Sequence, residues 1–139
     1  MKINLLWATL AGAVAMMVMG FVFYVLLLGD VFENMGVSNT VMKENPDMIM
    51  VFLGNLAGAF LLAYIFNKWA NISTFATGAQ AGAIIGLLVS LYAGLIQYGT
   101  TNIANSISPY LLDSVVSAVL WAIAGGVIGL VLGKTGGNS

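Results

Sequence analysis

The stretch FATGAQAGAIIGLLVSLYAGLIQY, running from Phe75 to Tyr98, carries no charged residue and decides how this chain must fold. It exceeds the roughly 20 apolar residues that a helix needs to cross a hydrocarbon core of about 30 Å. Unpaired backbone groups cannot face lipid, so the run must close its own hydrogen bonds as an α-helix. Within it Gly78, Gly82, Gly86, Ser90 and Gly94 recur at every fourth position, along one slowly turning face. Lipid tails are as apolar as leucine, and close association between spanning helices therefore relies on small residues that let backbones approach. The ridge predicts tight packing within the chain, with a homo-oligomer interface and a glycine-lined ligand path as alternatives.

Working outward, three further segments have spanning length: Ile3 to Leu28, Met48 to Phe66 and Tyr110 to Leu132. The expected fold is all-α: a polytopic, four-transmembrane-helix bundle forming a single membrane domain over residues 1–139, with helices at about 3–28, 46–67, 75–98 and 109–132. Asn45-Pro46 and Ser108-Pro109 each offer a side-chain acceptor followed by a proline, which suits the N-cap and first position of helices two and four. Trp7, Trp69, Tyr24, Tyr64, Tyr98 and Tyr110 fall near segment ends, as an interfacial aromatic belt requires, whereas Trp121 lies mid-segment and reads as a packing residue. The first segment is the longest and should tilt or extend past the interface.

Composition narrows the chemistry. Of 139 residues 60% are hydrophobic and 6% charged, with mean hydropathy +1.01, far from soluble domains. A formal charge of −1 gives no basic surface for nucleic acid, so the lipid bilayer is the expected partner. Without cysteine or histidine the chain offers no disulfide, thiolate or imidazole metal site, haem ligand of those types or imidazole catalyst, and no cofactor or metal is expected. The single Lys2 and the long apolar run after it read as a retained helix rather than a cleaved signal.

Lys2, Lys68 and Lys134 share one side of the bundle, and Lys43 stands alone on the other among Asp30, Glu33, Glu44 and Asp47. The positive-inside rule then puts both termini in the cytoplasm and the chain in the cell (inner) membrane as a multi-pass protein. In the outer loop, Gly29 to Asp47, the apolar Val31, Phe32, Met35 and Val37 suggest a segment lying on the membrane surface, a solvated connector being the alternative. A shift of about 70 residues aligns Ala11-Gly12-Ala13 with Ala81-Gly82-Ala83 and Gly29 with Gly99, and one step further Gly54 and Gly58 with Gly125 and Gly129, a candidate parallel 2+2 repeat.

Gly54 and Gly58 in helix two, with Gly125, Gly129 and Gly133 in helix four, extend the packing set, and Ser114, Ala118, Ala122 and Gly126 form a second small row. Three polar residues inside spans, Asn55, Ser90 and Asp113, are candidate contacts. Asn55, nine residues past Pro46 and so about 14 Å deep, should find a partner near Ser90 of helix three. Asp113, the one carboxylate inside a span, lies in the first turns of helix four, where the helix dipole favours an anion. Each of the three is either a structural hydrogen-bonding group or a contact for an ion or solute. Gln80 and Gln97 read as interfacial caps. One acid without a partner base, nucleophile or phosphate-binding loop makes no catalytic residue evident, and no enzyme is expected.

At the end of helix one, Gly20-Phe21-Val22-Phe23-Tyr24 followed by Gly29, Phe32 and Gly36 resembles a family of small bacterial and fungal membrane proteins that is known as a domain of unknown function. The resemblance implies four spans, an aromatic-Tyr pair leaving helix one, and small-residue-rich third and fourth helices with a Gly-rich tail. Phe23 and Phe32 stand where the family pattern has Trp. It implies no activity. The reading that follows is a structural, accessory or self-associating membrane subunit, either a homo-oligomer or part of a larger complex. The alternative is a small transporter or channel in which Asn55, Ser90 and Asp113 line the route.

Overall fold

A computed structural model of the chain describes residues 3–27, 47–101 and 106–135. The outer-loop segment around Val31 to Val37, and the lysines Lys2 and Lys43, lie outside the described residues. Helix α1 (Ile3–Gly20) continues in π-helical form through Phe21–Leu27; α2 (Met48–Ile65) does the same through Phe66–Ala70; α3 covers Phe75–Thr100 and α4 covers Ser108–Thr135. Among the described residues there is no strand. Leu5–Phe23, Met48–Ala70, Phe75–Thr100 and Ser108–Lys134 are each long and apolar enough to span a membrane.

The helix starts differ slightly from the expected ones. Asp47, not Asn45, caps α2, because its carboxylate accepts from the backbone N–H groups of Ile49 and Met50 at 3.1 and 3.2 Å. An anionic acceptor at a helix N-terminus satisfies two orphan donors and complements the dipole. Pro46 thus precedes the cap. In α4 the helix opens at Ser108, Pro109 becomes its second residue, and the Ile107 carbonyl accepts from Tyr110 and Leu111 at 3.0 and 3.1 Å. Thr74 caps α3 through Thr77 N–H, and its hydroxyl lies 2.6 Å from that of Thr77. At its far end α2 runs on to Ala70 and stops where Asn71 turns left-handed, at φ 53 and ψ 40, with its N–H donating to the Phe66 carbonyl.

Helix α1 packs against both α2 and α4, α3 packs extensively on α4, and α2 and α3 barely meet. The buried apolar cluster comprises Leu5, Ala8, Ala13 and Met16 of α1, Ala59, Leu62 and Ala63 of α2 with Phe66, and Leu120, Ala124, Ile128 and Leu132 of α4. It occupies the half of the bundle that holds the start of α1 and the ends of α2 and α4. Gly12 marks the closest approach there, since a Cβ on it would meet the Ile128 side chain at 2.5 Å and Ala59 at 3.2 Å. Helix α3 adds no fully buried side chain to this cluster, although its half-buried Ala81 and Ile85 pack against it. Its buried residues are Gly78, Gly82, Gly86 and Gly94.

The candidate repeat can be examined through its aligned glycines. The α1–α2 and α3–α4 pairs are both hairpin neighbours, yet Gly125 and Gly129 lie against the backbone of α3 while Gly54 has nothing within 4 Å. Aligned glycines thus sit in unlike surroundings. Aromatic pairs mark both ends: Tyr64 and Trp69 meet edge-on at 5.5 Å, and Tyr98 and Tyr110 at 5.9 Å.

Candidate functional site

Two of the three candidate polar residues, Ser90 and Asp113, sit within the α3–α4 contact, which the small residues build. A Cβ on Gly78 would collide with the Gly125 carbonyl, and one on Gly82 with the Trp121 carbonyl. One on Gly86 would strike Trp121 and come within 2.9 Å of the Ser117 carbonyl, and one on Gly94 would touch the Tyr110 ring at 3.3 Å. Viewed from α4, a Cβ on Gly125 would collide with the Gly78 carbonyl, one on Gly129 with that of Thr74, and one on Gly133 with that of Ser73. Each step of four along α3 is matched by a step of four along α4, in antiparallel order. Of the eight glycines singled out, Gly78, Gly82, Gly86, Gly125 and Gly129 therefore lie where a neighbour's main chain leaves no room for a side chain. Gly94 meets a ring, Gly58 lies 3.5 Å from Trp121 and 3.6 Å from Met16, and Gly54 is open.

One rung of this ladder is polar. Ser90, between Gly86 and Gly94, donates its hydroxyl to Asp113 Oδ2 at 3.0 Å. Both residues are half-buried. The bond settles how deep Asp113 lies. Counted along α4 it is only five residues from Ser108, about 7 Å. Counted along α3, its partner Ser90 lies about 4 Å from the centre of a 26-residue helix. Because α3 overshoots the start of α4, the carboxylate sits nearer mid-span than its place in α4 indicates. A sequence count from the nearest proline misses this, since the offset between antiparallel helices is set by their packing.

Asn55 is not brought to this rung. It lies seven residues past Met48, about 10 Å below the helix start rather than 14 Å, because α2 begins after Asp47. It is half-buried, and no side-chain hydrogen bond joins it to Ser90, whose bond goes to Asp113. The expected Asn55–Ser90 pairing fails for a topological reason: α2 and α3 lie on different sides of α4 and barely touch.

One further polar group is present that the sequence marks only as part of the aromatic belt. The Tyr110 hydroxyl is buried without a hydrogen-bond partner among the described residues, its ring over Gly94 and beside Tyr98. Its burial follows from Gly94, whose lack of a side chain lets the ring lie against α3. Ser114, 2% exposed, and Thr9, 7% exposed, each return their hydroxyls to the carbonyl four residues back and so need no interhelical partner. Among the described residues no group of three acidic side chains could hold a metal ion.

Four apolar spans enclosing a mostly small-residue contact with one hydroxyl–carboxylate rung define a multi-pass membrane protein of the four-helix type. The family model described as a protein of unknown function (DUF1761) matches residues 7–133, and the chain belongs to that family. No curated protein and no solved structure matches the chain.

Proposed function

We propose that this protein is a self-associating or accessory membrane subunit and that the outward face of α2 meets the partner. The α3 ridge and its counterpart on α4 lie against each other inside the chain, whereas α2 turns Gly54 and Ala57 outward, and the other open glycine, Gly99, stands in the last turn of α3. Met50, Gly54, Ala57 and Leu61 are exposed along one of its faces, and Gly54 has open space around it. The open glycine carries the reading. An exposed backbone in lipid gains contact only when another helix approaches it closely. Helix α3, by contrast, turns Ile84, Leu88, Tyr92, Leu95 and Ile96 outward, bulky residues suited to acyl chains. Asn55, next to Gly54 and without a side-chain bond among the described residues, gives an incoming helix an amide to pair with. The lysine bias supports cytoplasmic termini in the cell membrane.

The native chain has no cysteine, so single replacements report cleanly. Oxidative crosslinking of Gly54→Cys in nanodiscs should trap dimers, whereas Ile84→Cys should not. Gly54→Leu should shift the particle mass to the monomer and keep the helical content. Equal crosslinking at both positions, or a monomer under all lipid ratios, would refute the interface. A second reading, a small transporter or channel, is favoured by the depth of the Asp113 carboxylate.

A further inference from the structure

At the end of the bundle where α2 and α4 finish and α1 and α3 begin, the described residues carry positive charge alone. Lys68 stands in the π-helical end of α2 and Lys134 in the last turn of α4, both exposed and neither in an ion pair among the described residues. The acidic residues lie elsewhere. Asp47 caps the start of α2, Asp113 lies in the first turns of α4, and Asp30, Glu33 and Glu44 fall in sequence between α1 and α2. A short, hydrogen-bonded connection holds the two lysines in a fixed relation. Asn71 turns left-handed, and Ile72 donates its N–H to the Phe66 carbonyl at 3.0 Å and packs against the buried cluster. The Ser73 carbonyl then lies against Gly133, the neighbour of Lys134. Aromatic rings mark the depth. Trp69, beside Lys68, is 71% exposed and meets Tyr64 edge-on, and Trp7 and Phe75 are exposed near the starts of α1 and α3. Such rings settle at the headgroup level of a bilayer, which places both ammonium groups at the layer of phosphates.

We propose that this end of the bundle binds anionic phospholipid headgroups, with Lys68 and Lys134 as the groups that contact the phosphates. An ionised phosphodiester offers acceptors alone, and ammonium donors without a competing carboxylate match it. Asn67, Asn71 and Ser73 of the same connection add neutral amide and hydroxyl groups. A zwitterionic headgroup brings its own ammonium and cancels much of the attraction, so the preference is for lipids of net negative charge. Each lysine near an anionic surface contributes a factor of about five in binding. In the orientation that the lysine bias supports, this end faces the cytoplasmic leaflet, which is the anionic one. A headgroup engaging both lysines would join the ends of α2 and α4, and a ligand that binds only the folded state stabilises it. The assignment holds for a subunit and for a transporter alike.

The test offers the full chain an equal mixture of phosphatidylcholine and phosphatidylglycerol with identical acyl chains, and native mass spectrometry identifies which lipid stays bound. The native chain should retain phosphatidylglycerol preferentially. Lys68→Gln and Lys134→Gln should each weaken that preference roughly fivefold and the double variant roughly twenty-five-fold, whereas Lys68→Arg with Lys134→Arg should keep it. Lys43→Gln removes the same charge from the acidic stretch between α1 and α2 and should leave the preference unchanged. Unfolding in nanodiscs gives an independent readout on the native chain: added phosphatidylglycerol should raise the midpoint at low salt, and high salt should reduce the rise. Equal retention of the two lipids by the native chain would overturn the proposal. So would a loss from Lys43→Gln as large as that from Lys68→Gln, which would assign the preference to net charge. Inorganic phosphate that raises the midpoint equally in phosphatidylcholine nanodiscs, at constant ionic strength, would also overturn it and assign the site to a free anion.

Discussion

Replacing Gly82 with alanine puts a single methyl group where two helix backbones touch. Its Cβ would collide with the Trp121 carbonyl oxygen and lie 3.0 Å from the carbonyl carbon and 3.2 Å from Gly125 Cα. All three are main-chain atoms, so no rotamer change relieves the clash and α3 must move away from α4. Overpacking of this kind costs about 1–3 kcal/mol. Alanine also favours the helix by roughly 0.5–1 kcal/mol over glycine, which offsets part of the loss. The net expectation for Gly82→Ala is a destabilisation of about 0.5–2 kcal/mol. At Gly54 nothing lies within 4 Å, so only the helix-forming gain applies and Gly54→Ala should be neutral or slightly stabilising. Denaturant-driven unfolding in nanodiscs at low protein-to-lipid ratio, where self-association does not contribute, measures both. Equal effects at the two positions, or a stabilised Gly82→Ala, would refute the main-chain contact.

Four other outcomes follow from particular residues. At the larger scale Gly86→Leu, which must displace Trp121, should cost more stability than Leu87→Ala in the same unfolding assay. Asn71 sits at φ 53, where an alanine costs about 1–2 kcal/mol, so Asn71→Ala should lower the unfolding midpoint and Asn71→Gly should not. Thr74→Ala removes the acceptor for Thr77 N–H and should destabilise by about 1 kcal/mol, with Thr74→Ser largely restoring it. Reporter fusions should give cytoplasmic signals after Lys68 and Lys134 and an external signal near Asn105; an external C-terminus would reverse the orientation.

The spans were legible because hydropathy and length are properties of a segment alone: all four helices lie where the apolar runs put them, with ends shifted by a few residues. The shifts have local causes. Asp47 offers an anionic cap that Asn45 lacks, and the left-handed Asn71 ends α2 later than the run of apolar residues does. Which helices touch was less legible. The four-residue rhythm of Gly78, Gly82 and Gly86 announces close packing, but nothing in it names α4 as the partner, and a pairing of Asn55 with Ser90 rests on depth alone. Depth is a single coordinate, and two residues at similar depth can face different neighbours across a bundle. Asp113 looks shallow in the sequence for a related reason, because counting from Pro109 ignores how far α3 extends beyond the start of α4. The Tyr110 hydroxyl gave no signal at all, since its burial depends on the glycine opposite.

A ladder whose rungs repeat every four residues on both helices has a weakness: it can close in more than one alignment. Sliding α3 by one turn, about 6 Å, would set glycine against the α4 backbone again at several rungs. Such a slip would carry Ser90 away from Asp113 and leave a carboxylate facing a glycine, the one exchange that a low-dielectric interior penalises heavily. The polar rung thereby acts as an index mark, singling out one alignment among near-equivalents, much as a lone buried asparagine does in a coiled coil. Spin labels on the outer faces of α3 and α4 make this visible. The native chain should give one distance, and the Ser90→Ala, Asp113→Ala pair should give a second population displaced by about one helical turn.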